Sequence, residues 1–317
     1  MAVTGAQTYV NYGYEALATY GTVAASIDQT FGYDTDVSFD FDNQSIRLPV
    51  LNSQDYAAQV AGGFKGTWSL TATMADAYFL ASVIGDSGDG GAAPFTHTYT
   101  YDDVCRSISI DYGVDLSTDS LRTFLGCVPT KCTIKANIGE PITYSMDGFY
   151  KTETEGAALG AAVAVTEQPF TFANASLEMP NATPISNVQT VEITYNRNPS
   201  ELSVLNSRFN AGRYYGSRFV DVKVTMPFEA AATLLEKAYG SATGPGTTVA
   251  EVASAELTIT NGEAAGAQRS LVMLLTNLMP DTHKTGAKPN ELITEDITLT
   301  ARGLTSIIYS NAEAAAP

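Results

Sequence analysis

A repeated order of short motifs constrains the fold of this chain more than any other feature. Val50-Leu51-Asn52-Ser53 recurs as Val204-Leu205-Asn206-Ser207, and a helix-like run that ends at Gly85 has a counterpart that ends at Gly240. The offsets are 154 and 155 residues. Further on, Cys127-Val128-Pro129 aligns with Leu278-Met279-Pro280, and Glu140-Pro141-Ile142-Thr143 aligns with Glu291-Leu292-Ile293-Thr294, both at an offset of 151. This order of landmarks predicts two diverged copies of one structural unit.

Each copy has the alternating pattern of half-buried strands, interrupted by one long polar arm. In the first copy we predict strands at 37–41, 63–73, 107–111, 130–138 and 142–150, a helix at 75–84 and an arm from Asp42 to Val60. In the second copy the strands fall at 188–195, 217–226, 255–260, 270–278 and 293–301, with an arm at 196–212 and a helix at 228–239. The fold class predicted from these patterns is mainly β, with two tandem domains that each carry one helix and a long arm.

The domain limits follow from the repeat and from a change in charge. The predicted segments are an N-terminal arm (1–32), a first domain (33–152), an Ala-rich linker (153–167), a second domain (168–308) and a C-terminal tail (309–317). Residues 1–150 have 15 Asp and 2 Glu against 6 basic residues, whereas residues 151–317 have 3 Asp and 14 Glu against 11. The two halves therefore carry −11 and −6, as two diverged copies would.

The net charge of −17 argues against several classes of function. So acidic a chain is not expected to wrap nucleic acid by neutralising its phosphates, or to bind an acidic membrane surface. No run of about 18 apolar residues is present, and residues 1–10 lack the pattern of a signal peptide, so we expect neither a membrane span nor secretion.

Catalytic chemistry is also not indicated. No nucleophile elbow, zinc-protease helix, dinucleotide or P-loop motif occurs, and we predict no enzyme activity, no cofactor and no metal. Cys105, Cys127 and Cys132 lack metal-ligand spacing and are expected to be buried apolar residues. His97 and His283 lie in polar, loop-like sequence, and Gly85–Gly90 is more typical of a solvated turn than of half a calcium loop.

Several charged residues are candidates for contacts. Asp34, Asp36, Asp40 and Asp42 alternate along one strand and therefore share a face, which could bind a cation but is more typical of a solvent-facing or lumen-facing strand. Arg208, Arg213 and Arg218 are spaced five residues apart in the second arm. They could form a phosphate clamp, but in so acidic a chain we expect them to pair with carboxylates of a neighbouring subunit.

The sequence from Tyr12 to Ala25 resembles the start of tail tube (major tail) proteins of long-tailed viruses, especially those of archaeal viruses and proviruses. Leu125-Gly126-Cys127-Val128, followed by Gly139-Glu140-Pro141, is similar to a segment of that family. So are Pro169–Ala173, which opens the second half, and Glu291–Gly303, which closes it. The resemblance spans about residues 12–310. The chain departs from the family at Arg47–Val50, where members usually have a different turn.

The resemblance implies a structural virion protein with two tandem β-sandwich or half-barrel domains, each with one helix and a long hairpin. The hairpins would join edge to edge in an inter-subunit β-barrel. Stacked rings of three chains, with pseudo-six-fold symmetry, would form the conduit for ejection of double-stranded DNA, which passes without specific binding. Partners would be copies of the chain itself and the tape measure, tail terminator and baseplate proteins, with assembly in the host cytoplasm. Asp42, Asp55 and Glu201, together with the three arginines, are the candidate lumen or interface residues. Residues 2–31 would reach the next ring.

Two other classes of function make different demands on the sequence. A secreted or surface β-sandwich binding module, such as an adhesin or lectin, would need a secretion signal and exposed aromatic residues over a concave face. A hydrolase with a dispersed carboxylate site is disfavoured by the missing motifs. The acidity fits either DNA passage or a salt-adapted host.

Overall fold

The fold is described from a computed structural model of the 317-residue chain. The structure describes residues 7–51, 55–85, 88–116, 118–156, 158–180, 182–228, 236, 238–241, 243–249, 251–263, 268–286, 289 and 292–312. The chain is mainly β, as predicted, with twenty strands and few helical residues in the described part. Alternating polar and apolar residues account for most strands, because each has one face towards the core and one towards solvent.

The first half of the chain contains twelve strands and the helix. The strands are β1 (Thr8–Tyr14), β2 (Gln29–Thr30), β3 (Tyr33–Asp42), β4 (Ile46–Pro49), β5 (Tyr56–Val60), β6 (Lys65–Thr73), β7 (Gly88–Gly90), β8 (Phe95–Tyr99), β9 (Ile108–Val114), β10 (Ser120–Asn137), β11 (Thr143–Tyr150) and β12 (Thr152–Gly156). Helix α1 (Leu80–Val83) lies between β6 and β7.

The second half contains eight strands and a short 3-10 turn at Phe172–Asn174. The strands are β13 (Ala175–Glu178), β14 (Thr190–Asn196), β15 (Pro199–Leu202), β16 (Gly212–Tyr215), β17 (Phe219–Pro227), β18 (Val252–Thr260), β19 (Ser270–Gly286) and β20 (Thr294–Asn311). The predicted second helix lies mostly outside the described residues, and Glu236, Ala238 and Tyr239 are helical.

Three long strands connect two layers of sheet. The first part of β10 pairs with β9 and β12, whereas its second part pairs with β11 and β14. Likewise, β19 pairs with β18 at its start, and β20 pairs with β17 at its start and with β8 at its end. Register shifts interrupt β10 after Phe124 and β19 after Leu274 and Pro280, as expected where a strand bends from one layer into the other.

The same pairing order occurs in both halves. In the first half the strands pair in the order β3-β6-β11-β10-β9-β1, and in the second half in the order β14-β17-β20-β19-β18-β13. All of these pairs are antiparallel. The pairing of β10 with β14 joins the two halves, so that β3, β6, β11, β10, β14, β17, β20 and β19 form one continuous sheet. This eight-stranded unit is called the main sheet below.

The core lies between the main sheet and the second layer. The Phe39 ring of β3 stacks on the Phe124 ring of β10, with ring centroids 3.6 Å apart. Trp68, Leu70 and Ile110 are each at most 3% exposed beside them. Burial of such side chains is the main source of stability, at about 1.5–3 kcal/mol for each large apolar residue.

Several boundaries differ from the sequence predictions, among them the end of β19, which lies at Gly286 and not at the predicted residue 278. Helix α1 is shorter than 75–84. Residues 75–79 form bends and turns, and residues 74–84, apart from the half-buried Asp76, are buried on all sides and so lack the polar face of an amphipathic helix. Strand β10 begins ten residues before the predicted position. Strand β20 continues to Asn311, where a free tail was predicted, because Tyr309 pairs with His97 of β8. Residues 152–156 of the predicted linker form β12 and pair with β10.

The N-terminal segment also differs from a free arm. Residues 8–14 form β1, which pairs with β9 of the same chain, and the Tyr12 side chain is fully buried. Phe31 is 3% exposed and stacks on Tyr12, with ring centroids 4.4 Å apart. Residues 8–31 therefore pack on their own chain, because their aromatic side chains complete its core, and residues 1–6 lie outside the described part.

Candidate assembly surface

One face of the main sheet is polar. Cross-strand partners on it are hydroxyl, amide and charged side chains, as at Ser38↔Ser69, Thr133↔Ser145 and Glu192↔Lys223. The opposite face carries the core. The carboxylates on the polar face include Asp36, Asp40, Asp42, Asp147, Glu192, Asp221 and Asp296, and the lysines include Lys65, Lys131, Lys135, Lys223 and Lys284.

Charges of both signs alternate on this face. Glu192 lies opposite Lys135 on one neighbouring strand and opposite Lys223 on the other. Asp42 lies opposite Lys65. The face is therefore much closer to neutral than the net charge of −17 suggests. The net charge of the whole chain therefore overstates the acidity of this surface.

The two predicted arms form separate hairpins. β4 pairs only with β5, and β15 pairs only with β16, so neither hairpin joins the main sheet through its described residues. Their apolar side chains are exposed at equivalent positions. Leu51 is 95% exposed and Leu205 is 98% exposed, while Val50 and Val204 are 46% and 44% exposed. Exposed apolar residues grouped on projecting hairpins indicate a surface that contacts another protein.

The second arm rests on the base of the first. The Arg208 side chain donates from Nε to the Gly62 carbonyl at 3.2 Å and from its terminal nitrogen to Asn43 Oδ1 at 2.8 Å. The backbone N–H of Phe64 donates to the Arg208 carbonyl at 2.8 Å. Arg208 therefore ties the arms of the two halves together.

The other two candidate arginines also have partners in their own chain. Arg213 donates to Ser107 Oγ at 3.0 Å and to the Cys105 carbonyl, and lies 4.9 Å from the Tyr20 ring centroid. Arg218 lies 4.4 Å from the Tyr101 ring centroid. Neither they nor Arg208 form an ion pair with a carboxylate in the described residues, since carbonyls, hydroxyls and rings occupy their donors.

The three candidate carboxylates occupy different places. Asp42 is exposed at the end of β3 and accepts the Gln44 N–H at 2.7 Å. Asp55 is exposed next to β5 in the first arm. Glu201 is half-buried in β15 and accepts from Asn210. Burial raises the pKa of Glu201, opposed by the positive charge of Lys65. The structure thus brings Glu201 near the first half but does not gather the three acids into one site.

Glu15 and Arg197 are two buried charged residues that the sequence patterns did not indicate, and Glu295, the partner of His283, is a third. Glu15 is 1% exposed and accepts from the N–H groups of Gly21 and Gly126 at 2.8 and 2.6 Å, and from Ser107 and Ser109 at 2.6 and 3.0 Å. It anchors the N-terminal segment to the bend in β10. In the sequence, only its place at the end of the run Tyr12-Gly13-Tyr14-Glu15 could have drawn attention to Glu15.

Arg197 is the second buried charge, 4% exposed at the end of β14. It donates to the carbonyls of Ile84 and Asp102 and to Cys105 Sγ, and its guanidinium stacks 4.4 Å from the Tyr215 ring centroid. It thereby connects the second half to a loop of the first. Burial raises the pKa of the Cys105 thiol to about 11, although Arg197 opposes this shift.

Other predictions for reactive side chains have mixed outcomes. The three cysteines are buried and free, which confirms their expected role. The placement of the histidines in loops was wrong. His97 is 1% exposed in β8, bonded to Asp89 at 2.6 Å and Asn311 at 2.9 Å, and His283 lies in β19, 3.0 Å from Glu295. Strand pairing brings distant polar partners to both. No group of three or more metal-binding side chains occurs among the described residues.

Asp36, Asp40 and Asp42 of β3 follow the predicted alternation and are exposed on the polar face. Asp34 does not continue it, because the register shifts between Tyr33 and Asp36 and Asp34 has a φ of +50°. Asp86 and Ser87 of the Gly/Asp loop lie outside the described residues, and Gly88–Gly90 forms β7. None of the helices in the described part has the length and hydropathy needed to cross a membrane.

Comparison with known proteins assigns the chain to a family. A comparison with curated proteins found no match to this chain. A family model described as phage tail tube protein matches residues 5–301, nearly the whole chain. That family is structural rather than enzymatic, and it does not favour an adhesin or lectin. The two-layer β fold, the polar sheet face and the exposed hairpins agree with the match: the chain belongs to the phage tail tube protein family.

Proposed function

We propose that three chains form a ring in which the main sheets join into one barrel around a lumen. The family establishes self-assembly into a virion tail tube. The observation that carries the finer proposal is the main sheet, whose polar face is uncovered. Among the described residues, β3 at one end and residues 279–286 of β19 at the other each have a free edge, while the first part of β19 pairs with β18. Ring closure would pair every such edge and remove the risk of uncontrolled edge-to-edge aggregation.

The dimensions support a channel. With eight strands per chain, three chains would supply 24 strands. At about 4.8 Å between strands and a tilt of about 40°, such a barrel has a backbone diameter of about 48 Å. A lining of mostly short polar side chains leaves room inside for a DNA duplex. Porin-like barrels with fewer strands already enclose water-filled channels.

The lining has the chemistry of a surface that does not retain DNA. Hydroxyl groups and charges of both signs cover the polar face. Each of its five lysines lies opposite a carboxylate, which competes with phosphate groups for the lysine and reduces the release of counterions from DNA. We therefore propose that DNA passes through the lumen during ejection without specific binding. An origin in an archaeal virus or provirus remains a prediction.

The barrel proposed here uses the main sheet, whereas the sequence suggested the two hairpin arms. The arms, with Leu51 and Leu205 at their exposed turns, are instead assigned to contacts between neighbouring copies or rings. Their apolar side chains would become buried only in the assembled tube. Asp55 and Glu201 belong to these arms, while Asp42 belongs to the edge of the main sheet.

Two tandem tube domains are proposed within each chain, giving the ring of three its pseudo-six-fold character. The same order of paired strands in the two halves supports two domains of one kind. The proposed first domain begins at β1, since β1 occupies the place in the first half that β13 occupies in the second. Tape measure, terminator and baseplate proteins would contact the tube, and assembly would take place in the host cytoplasm.

Electron microscopy of the purified chain, together with native mass spectrometry, tests the proposal. We expect rings or tubes with a central channel, a ring mass of three chains and six-fold features in class averages. A ring of six chains would contradict the pseudo-six-fold arrangement, and a monodisperse monomer under all salt conditions would contradict ring formation.

A further inference from the structure

The junction between the two halves of one chain is a fully described example of how two tube units join. In it, the second part of β10 runs antiparallel to β14, with Lys131 opposite Asn196 and Lys135 opposite Glu192. Thr133 and Thr194 face each other at its centre, and their hydroxyl oxygens are 3.1 Å apart. This pairing makes the main sheet continuous from one half to the other.

The repeat places equivalent strands at the two ends of the main sheet. β3 is equivalent to β14 at an offset of 154, since Val37↔Leu70 corresponds to Val191↔Val224. The end of β19 is equivalent to the end of β10 at an offset of 151, since Thr133↔Ser145 corresponds to Lys284↔Asp296. Each end of the main sheet therefore carries a strand equivalent to one of the two junction strands and lacks the strand that would pair with it.

Side chains of β3 are more exposed than the equivalent side chains of β14, as expected if β3 lacks a neighbouring strand on one edge. On β14, Val191, Ile193 and Tyr195 are 4%, 1% and 1% exposed beside β10. On β3, the equivalent Val37 and Phe39 are only half-buried, and Phe41 is 53% exposed. At the other end of the sheet, Thr282, Lys284 and Thr285 are exposed. An incoming strand would cover the edge of β3 as β10 covers that of β14.

We propose that β19 of one copy pairs antiparallel with β3 of the next copy, in the register of the internal junction. Transferring the two offsets places Lys284 opposite Asp40 and Thr282 opposite Asp42. The central Thr133–Thr194 pair of the internal junction thereby becomes an ion pair between chains. This inference rests on the proposed ring and adds its contact strands, their register and the residue pair that selects it.

Charge complementarity supports this occupant. β3 exposes Asp36, Asp40 and Asp42, whereas Lys284 is the charged residue in the paired register at the exposed end of β19. Asp281 is also exposed there, but it lies in the register shift between Pro280 and Thr282. Two β3 edges would repel each other, and two β19 edges would bring lysines together. The head-to-tail pairing of β19 with β3 is the combination that brings opposite charges together, and it is also the one that closes a ring.

Charge reversal tests the register. K284D and D40K should each raise the protein concentration needed for ring assembly roughly 3- to 10-fold, and the double variant K284D/D40K should restore assembly. K284D/D42K should not restore it, because position 42 faces Thr282 in this register. K223D is the matched control, since Lys223 lies within the main sheet of one chain and its reversal changes the net charge equally.

A second measurement covers the case in which K284D disturbs the local fold through Asp296. A variant with Lys284→Cys and Asp40→Cys should give disulfide-linked dimers and trimers on oxidation. The native cysteines are buried and give little background. Lys284→Cys with Asp42→Cys should link poorly. If wild type forms rings but the charge and cysteine pairs do not distinguish position 40 from 42, the register is overturned while the proposed function stands. If wild type forms no rings, the proposed function itself fails.

Discussion

Gly126 and Asn277, which are 151 residues apart, both have a left-handed backbone conformation, with φ of +68° and +55°. Each lies where a long strand bends between layers, Gly126 in β10 and Asn277 in β19. Glycine adopts this conformation without steric cost, and asparagine is among the residues that tolerate it. The two copies therefore keep the same bend with two different residues suited to it.

The bend at Gly126 should be sensitive to substitution. An added Cβ would lie 2.9 Å from atoms of Lys151 and Tyr20, in addition to the positive φ. We expect Gly126→Ala to lower the free energy of unfolding by about 2–3 kcal/mol, measured by urea denaturation. Gly139→Ala is the matched control, with φ of +82° and no atom within 4 Å of the added Cβ. Equal losses in the two variants would show that packing at the bend contributes nothing.

The buried Glu15 carboxylate should contribute strongly to stability. Glu15→Gln keeps the size of the side chain but presents an NH2 group to donors that need an acceptor. We expect a loss of about 2 kcal/mol in the free energy of unfolding. Glu140→Gln changes an exposed carboxylate that accepts from Asn137 at 2.8 Å, and it should cost much less. A Glu15→Gln variant as stable as wild type would contradict the anchoring role.

Glu201 should make stability depend on pH. Its folded pKa is raised by burial, so the proton binds the folded state more tightly. The resulting stability is fully present below the unfolded pKa of about 4.3 and is lost as pH rises through the folded pKa. Glu201→Gln should therefore reduce the fall in Tm between pH 4 and pH 7. Glu251→Gln reports the general effect of removing one negative charge, and an identical change in both would contradict the prediction.

Assembly should be favoured by salt. A ring of three chains would carry −51, three times the chain's −17. The Debye length falls from about 10 Å at 0.1 M salt to about 3 Å at 1 M, and apolar contacts strengthen in salting-out conditions. Light scattering across a salt series should show tubes forming as salt rises and loosening on dialysis. Tubes that persist unchanged at low salt would contradict a dominant role for charge repulsion.

The arms should be required for assembly but not for folding of the chain. Every residue of β4 and β5 is exposed, so deletion of residues 44–57 removes little from the core. We expect a folded protein that does not form tubes, as judged by circular dichroism and electron microscopy. Leu51→Ser and Leu205→Ser together provide a milder test. Normal tubes from the deletion would exclude the first arm from assembly.

A truncation at Gly32 would not test the N-terminal segment as an inter-ring contact. It would remove the β1–β9 pairing and the buried Tyr12 and Phe31, and should therefore unfold the first half. Deletion of residues 2–6 leaves all described contacts in place. If these residues join rings, the shortened chain should form single rings that do not stack, whereas tubes of normal length would remove that role.

The sequence by itself determined the β class, the repeat, the arms and the resemblance to tail tube proteins. These properties are local, since alternation of polar and apolar residues reports strands, and motif order reports duplication. Most strands lie within a few residues of their predicted positions, as at 37–41 within β3 and 255–260 within β18.

The tertiary structure decided which strands pair and which residues have partners. β10 was predicted from residue 130, but its earlier half is a strand because β9 and β12 pair with it. His97, Glu15 and Arg197 have partners that are 92 or more residues away in the chain, at Asn311, Ser107 and Cys105. The placement of Lys284 and Asp40 at opposite ends of the main sheet depends in the same way on long-range pairing. Local pattern carries no information about such partners, because the free energy of pairing comes from contacts that exist only in the folded chain.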